Sequence, residues 1–173
     1  CVTGVQTCAL PILKSAEDAA LAISTMVVRG APLIGATAAY GLCMALRQDP
    51  SDASLDANYS KLVMTRPTAI NLKWALDQMM AAIRPAAIPQ RAEVAYKTAA
   101  RLCDDDVRTN EAIGRHALTI IEALHKKKGG GTVNILTHCN AGWLACVDWG
   151  TALAPDRKST RLNSSHTVIS YAV

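Results

Sequence analysis

The chain has 173 residues, half of them apolar and 18% charged, with no Phe, a composition that excludes intrinsic disorder and suits close-packed helices around a real core. Its formal charge of +4 carries no nucleic-acid signal. Arg157, Lys158 and Arg161 in the acid-free tail supply +3 of it, and the one basic run, Lys126-Lys127-Lys128, falls where a helix ends and cations are favoured anyway.

Ser15 followed by Glu17 and Asp18 marks a helix start, and Ala19, Ala20, Ile23, Met26 and Val27 recur at helical spacing. Residues 28–32 (VRGAP) break the pattern. Pro32 is suited to the first turn of a second helix running through Leu33, Ile34, Ala38 and Leu42 towards Arg47. A loop at 49–52 (DPSD) precedes an amphipathic helix through Leu55, Tyr59, Leu62 and Val63. Residues 65–68 (TRPT) interrupt again, and Pro67 presets a helix carrying Ile70, Leu72, Trp74, Leu76 and Met79. Beyond Pro85 and Pro89 a long helix is predicted from Arg91 to about Lys127, with a bend or break expected around 103–106 (CDDD) and Gly114. Residues 129–131 (GGG) end it. Residues 132–137 (TVNILT) read as a buried strand, 138–142 (HCNAG) as a tight turn and 143–154 as a helix. Strand, loop and helix in that order open a doubly wound parallel sheet.

Residues 1–12 (CVTGVQTCALPI) and 157–173 (RKSTRLNSSHTVISYAV) do not continue these patterns. They resemble translated adapter sequence at the ends of environmental gene fragments, so both are expected to be non-native, with the natural protein extending past each end. Cys1, Cys8 and His166 are set aside with them. The expected class is α/β: a helical domain over 13–128, then the truncated start of a Rossmann-like domain over 129–156. A lone strand there would leave its edges unpaired. Six cysteines without regular spacing or a CxxC pair indicate a reducing, cytoplasmic compartment rather than a disulfide framework. No apolar stretch has the length of a membrane span, and the opening lacks the basic region of a signal peptide.

Three motifs carry chemistry. In Arg29-Gly30-Ala31-Pro32, Gly30 permits close backbone approach, the next helix start offers amides to an anion, and Arg29 adds a forked cation. Arg66 in TRPT repeats the device, so two arginines on similar turns can converge on one anionic ligand; each alone is also ordinary turn chemistry. Cys139 lies between a strand end and a helix start, the crevice position of α/β proteins, where the helix field favours a thiolate. His138 reads as structural. No second His or Cys at ligand spacing accompanies them, so neither metal nor cofactor is expected.

Together the strings at 26–35 (MVVRGAPLIG), 38–41 (AAYG), 65–72 (TRPTAINL), 135–142 (ILTHCNAG) and 148–153 (DWGTAL) resemble the methylthioribose-1-phosphate isomerases of methionine salvage, in the family's order. The resemblance implies aldose–ketose isomerisation of a small sugar phosphate. It assigns substrate binding to Arg29, Gly30, Ala31 and Arg66, and hydrogen transfer between C1 and C2 to Cys139, by proton shuttling or hydride shift. It further implies a homodimer without membrane or nucleic-acid partners. The family's aspartate, glutamine and Asn-Lys pair lie later than this chain reaches; Asp148, placed in the helix after Cys139, is no substitute, and the chain alone is expected to be inactive. The alternatives are a ribose-1,5-bisphosphate isomerase, a non-catalytic regulatory subunit of the initiation factor 2B type, and a helical interaction module resting on 13–128 alone.

Overall fold

The computed structural model describes residues 12–138, 142–156 and 167–171. Helix α1 (Ala16–Ser24) begins where Ser15 Oγ accepts the Asp18 amide at 3.1 Å, which supplies a partner for an otherwise orphan N–H. It stops earlier than the apolar spacing suggests. Met26 turns to φ 61°, and Met26 and Val27 are exposed outside the helix. Helix α2 (Ala31–Gln48) follows. Helix α3 (Asp52–Met64) is capped by Ser51 Oγ, which accepts the Ser54 amide at 3.2 Å. Helix α4 (Ile70–Ile83) comes next, then the long α5 (Arg91–Lys127).

Helix α2 is central, packing against α1, α3, α4 and α5. Ala19, Ala38, Ala39, Ala95 and Ala99 are fully buried with Leu42, Leu55, Leu62, Leu76 and Ile83. This is the use the alanine-rich composition anticipates, since small side chains let helix axes approach. Cys43 sits among them, and burial pushes its thiol up to about 12, the behaviour of a small apolar residue.

Helix α5 runs unbroken through the segment expected to break it. The reason is local compensation. Asp105 pairs with Arg108, Asp106 and Asn110 bond each other one turn apart, and Gly114 receives the backbone of Ala154. Its end is as predicted: Gly130 N–H donates to His125 O and Gly129 N–H to Lys126 O, both at 3.0 Å, the paired bonds of a Schellman motif.

Strand β1 (Val133–Thr137) is less buried than its sequence suggests, with Val133 inside and Leu136 78% exposed. It pairs in parallel with β2 (Thr167–Tyr171), Val133 opposite Thr167 and Thr137 opposite Tyr171. One edge of β1 is therefore paired, by a segment set aside in the sequence reading. The helix expected over 143–154 is absent. Trp143–Ala145 form one 3-10 turn, and bends and turns follow to residue 153. Cys146 is extended at φ −133°, ψ 178°, Trp149 and Gly150 take φ 71° and 79°, and Val147 N–H donates to Asp106 Oδ2 instead of a carbonyl one turn back. The result is a mostly helical chain carrying a small parallel sheet.

One buried cation ties the helical layer together. Arg91, 5% exposed, donates to Pro50 O at 2.9 Å, Asp52 Oδ1 at 2.8 Å and Ala86 O at 3.3 Å, joining the α2–α3 loop to the α4–α5 link. Arg91→Ala leaves those carbonyls without their donor and is expected to lower the unfolding free energy by about 2–4 kcal/mol. Arg84→Ala, removing an exposed pair with Asp56, should cost no more than about 1 kcal/mol. Urea denaturation of both variants checks the contrast.

Candidate functional site

Two of the four short helices start on serine caps; the other two start bare. Neither α2, beginning after Gly30, nor α4, beginning after Ala69, has a side-chain acceptor for its first amides. Each is preceded by one of the arginines singled out in the sequence. Unsatisfied N–H groups and the positive end of the helix dipole favour an anion at such a position.

The structure places these two helix starts side by side. Asn71, the second residue of α4, donates its Nδ2 to the carbonyl of Ala31, the first residue of α2, at 2.9 Å. Gly35, one turn along α2, lies against the same region: a Cβ there would sit 3.2 Å from Asn71 O and 3.1 Å from the Ala75 Cβ. Arg29 is exposed and Arg66 half-buried. Among the described residues neither guanidinium has an ion pair or hydrogen bond, so both forks are available to a ligand.

The third motif meets the first through Gly30. Its φ of 102° suits glycine, and a Cβ on it would lie 2.5 Å from the Cα of Ala145, so the Arg29–Ala31 turn is pressed onto the 3-10 turn Trp143–Ala145. Cys139 itself, with Asn140 and Ala141, lies outside the described residues. His138 is exposed at the end of β1.

Beneath this junction α2, α4 and α5 enclose a cleft of about 210 Å³, with Pro32, Asn71, Trp74, Asp105, Asp106 and Val147 on its wall. Neither arginine lines it, and its two carboxylates oppose an anion, so the cleft is a floor rather than a phosphate pocket. Asp106 accepts from Val147 N and from Asn110 Nδ2, both at 3.0 Å. Burial raises its carboxyl above the usual aspartate value, and those two donors pull it partway back. Cys146 beside it is buried, and burial first, then the Asp106 charge, raises its thiol. Cys43, Cys103 and Cys146 are free thiols.

Sequence reasoning singled out Arg29, Gly30, Ala31 and Arg66, and the structure sets the helix starts that follow the two arginines in contact through Asn71. It missed Asn71, whose identity in TRPTAINL carries no signal apart from the fold. It also missed Asp106, hidden in a run that reads as a helix breaker.

A model of the initiation factor 2 subunit family matches residues 27–169. The methylthioribose-1-phosphate isomerase of Paramagnetospirillum magneticum is 60% identical over 147 residues, covering 85% of this chain and 40% of the relative. That of Methylorubrum populi is 58% identical over 143 residues, 83% of this chain and 39% of the relative. The chain thus spans about 40% of the length of these curated relatives. Among solved structures, the delta subunit of translation initiation factor eIF-2B from A. fulgidus has a TM-score of 0.76 at 29% identity, over 94% of this chain and 47% of that one. The 5-methylthioribose 1-phosphate isomerase from Pyrococcus horikoshii has a TM-score of 0.72 at 26% identity, over 91% and 52%.

Gly30→Ala should lower the unfolding free energy by about 1–3 kcal/mol, because it combines a backbone conformation disfavoured for alanine with a collision against Ala145. Asn71→Ala should cost about 0.5–1.5 kcal/mol through its single hydrogen bond. Thermal unfolding of the two variants measures both.

Proposed function

The chain belongs to the initiation factor 2 subunit family, and from that membership we propose that it carries the substrate-binding front of a methylthioribose-1-phosphate isomerase. The reaction is the conversion of 5-methylthioribose 1-phosphate to 5-methylthioribulose 1-phosphate. The ring C1–O4 bond breaks, the hydrogen on C2 moves to C1, the C2 hydroxyl becomes a carbonyl, and its proton ends on O4. Nothing is gained or lost overall, so no redox cofactor is required.

In this reading Arg29 and Arg66 grip the anionic substrate, and the bare start of α2 at Gly30 and Ala31 supplies amides to it. Cys139 takes part in the hydrogen transfer, by a proton shuttle or beside a hydride shift; either route needs groups that handle a proton near neutral pH in a site closed to water. Strand β1 is then the first strand of a larger Rossmann-like parallel sheet, and the whole protein is a cytoplasmic homodimer. The observation that carries the reading is the pairing of two arginine-led, uncapped helix starts across the Asn71–Ala31 hydrogen bond, in a chain 60% identical to a relative of that name. No helix among the described residues is long and apolar enough to cross a membrane.

A second reading rests on the likeness to the eIF-2B delta subunit: a non-catalytic subunit with the same fold. It gives no role to two arginines without a protein partner among the described residues, and the identity behind it is half that of the isomerase relatives.

The test is an isomerase assay on 5-methylthioribose 1-phosphate, with the chain as it stands and with the chain extended to the relatives' length by the remaining Paramagnetospirillum sequence. The extended protein should turn over. Cys139→Ala should reduce kcat by about 100-fold or more, as loss of an acid–base group does. Arg29→Ala and Arg66→Ala should each raise KM by about tenfold or more, the loss of one charge-assisted contact. A folded, extended protein without turnover overturns the isomerase reading and favours the non-catalytic one.

A further inference from the structure

Helix α5 presents three residues one turn apart, Asp106, Asn110 and Gly114, and neighbours at that spacing share a face. All three serve the segment after residue 142. Asp106 Oδ2 accepts Val147 N–H at 3.0 Å. Asn110 is 2% exposed and donates its Nδ2 to both Asp106 O and Asp106 Oδ1 at 3.0 Å, steadying the carboxylate from the next turn. Its own Oδ1 has no donor, because two acceptors facing one amide fix which way that amide points. Gly114 leaves room for the chain: a Cβ on it would meet Ala154 O at 2.7 Å. On this seat Ala145, Cys146 and Ala154 are buried.

Two residues before Val147 is Ala145, the residue on which Gly30 rests. A continuous path therefore runs from Asp106 through Val147 and Ala145 to the turn that carries Arg29. We propose that Asp106 is a positioning residue for the substrate-binding turn: by holding Val147 it fixes Ala145 beneath Gly30 and sets where Arg29 and the first amides of α2 stand. The proposal deepens the isomerase reading and rests on it for the nature of the ligand. Asp106 does not touch substrate. The seat asks for a doubly accepting group: Val147 N–H and Asn110 Nδ2 are both donors, one to each oxygen, and a carboxylate satisfies both where an amide satisfies one. That requirement accounts for an acidic group being kept where burial penalises its charge.

The experiment uses the chain extended to the relatives' length as above, with Asp106→Ala, Asp106→Asn and Asp106→Glu, read by amide hydrogen exchange and by affinity for 5-methylthioribose 1-phosphate. Val147 N–H reports the seat. Ile34 N–H, which donates to Gly30 O at 3.0 Å, reports the turn. In Asp106→Ala both amides should exchange about tenfold faster or more, and substrate affinity should fall by about tenfold, as loss of a bond to a charged acceptor predicts. Amides in the middle of α2 and α4 should keep their protection. Asp106→Glu should restore much of both effects, and Asp106→Asn should fall between. Faster exchange at Val147 alone, with Ile34 and affinity unchanged, overturns the proposal and leaves Asp106 a local anchor; so does the absence of any effect at Val147. An extended wild-type protein that does not bind the sugar phosphate counts against the isomerase reading, and the exchange of Val147 and Ile34 still decides the positioning role by itself.

Discussion

The hydrogen bond from Asn71 Nδ2 to the carbonyl of Ala31 is the constraint on which the site depends. Two helices distant in sequence begin within one contact of each other, and both begin without a cap. Their dipoles and free amides therefore add at one place. Left alone, two positive helix ends would repel, and the neutral amide of Asn71 joins them without introducing a charge that would cancel the field. Arg29 and Arg66, which precede the two starts in sequence, are the permanent cations that the proposed reading adds to them. At α1 and α3, by contrast, Ser15 and Ser51 each take up one of the first amides.

Helix α5 is the counterpart of that junction. Its N-terminal half belongs to the core, with Ala95, Ala99 and Leu102 buried against α2 and α4, and Arg91 locks its start to two loops. Its middle is polar where it receives residues 145–154, whose Val147 amide takes the Asp106 carboxylate as acceptor. A carboxylate, an amide and a glycine on consecutive turns lower helix propensity by a few tenths to about 1 kcal/mol each, and the docking of residues 145–154 offsets that cost. The same residues that weaken the helix locally are the ones that link it to the site.

Much of this was legible in the sequence, for identifiable reasons. Caps, prolines and apolar spacing mark α1 to α5 within a few residues, because those signals are local. Arg29, Gly30, Ala31 and Arg66 stood out in the sequence because an arginine beside a proline ahead of a helix start has a direct physical reading, although α4 begins only at Ile70, three residues past Pro67. Of the bend or break expected in α5, no break occurs, because the partners of Asp106 and Gly114 come from Val147 and Ala154, some forty residues away, which no local pattern encodes. The helix expected over 143–154 failed for the same reason: Val147 N–H is claimed by Asp106. Strand β1 was found, but its parallel partner at 167–171 lay in a segment judged foreign to the fold. Asn71 was invisible for a different reason, since an asparagine in a helix acquires meaning only once the facing carbonyl is known.

The central claim is that the two arginine-led turns act as one ligand site. Calorimetric titration of 5-methylthioribose 1-phosphate into the extended protein as wild type, Arg29→Ala, Arg66→Ala and the double variant tests it most directly, as a double-mutant cycle. Groups that share one bound partner are coupled, so a coupling energy of about 0.5 kcal/mol or more is predicted, with one ligand per chain. Strictly additive losses, or a full-affinity site surviving in either single variant, would contradict it and separate the two turns into unrelated features of the surface.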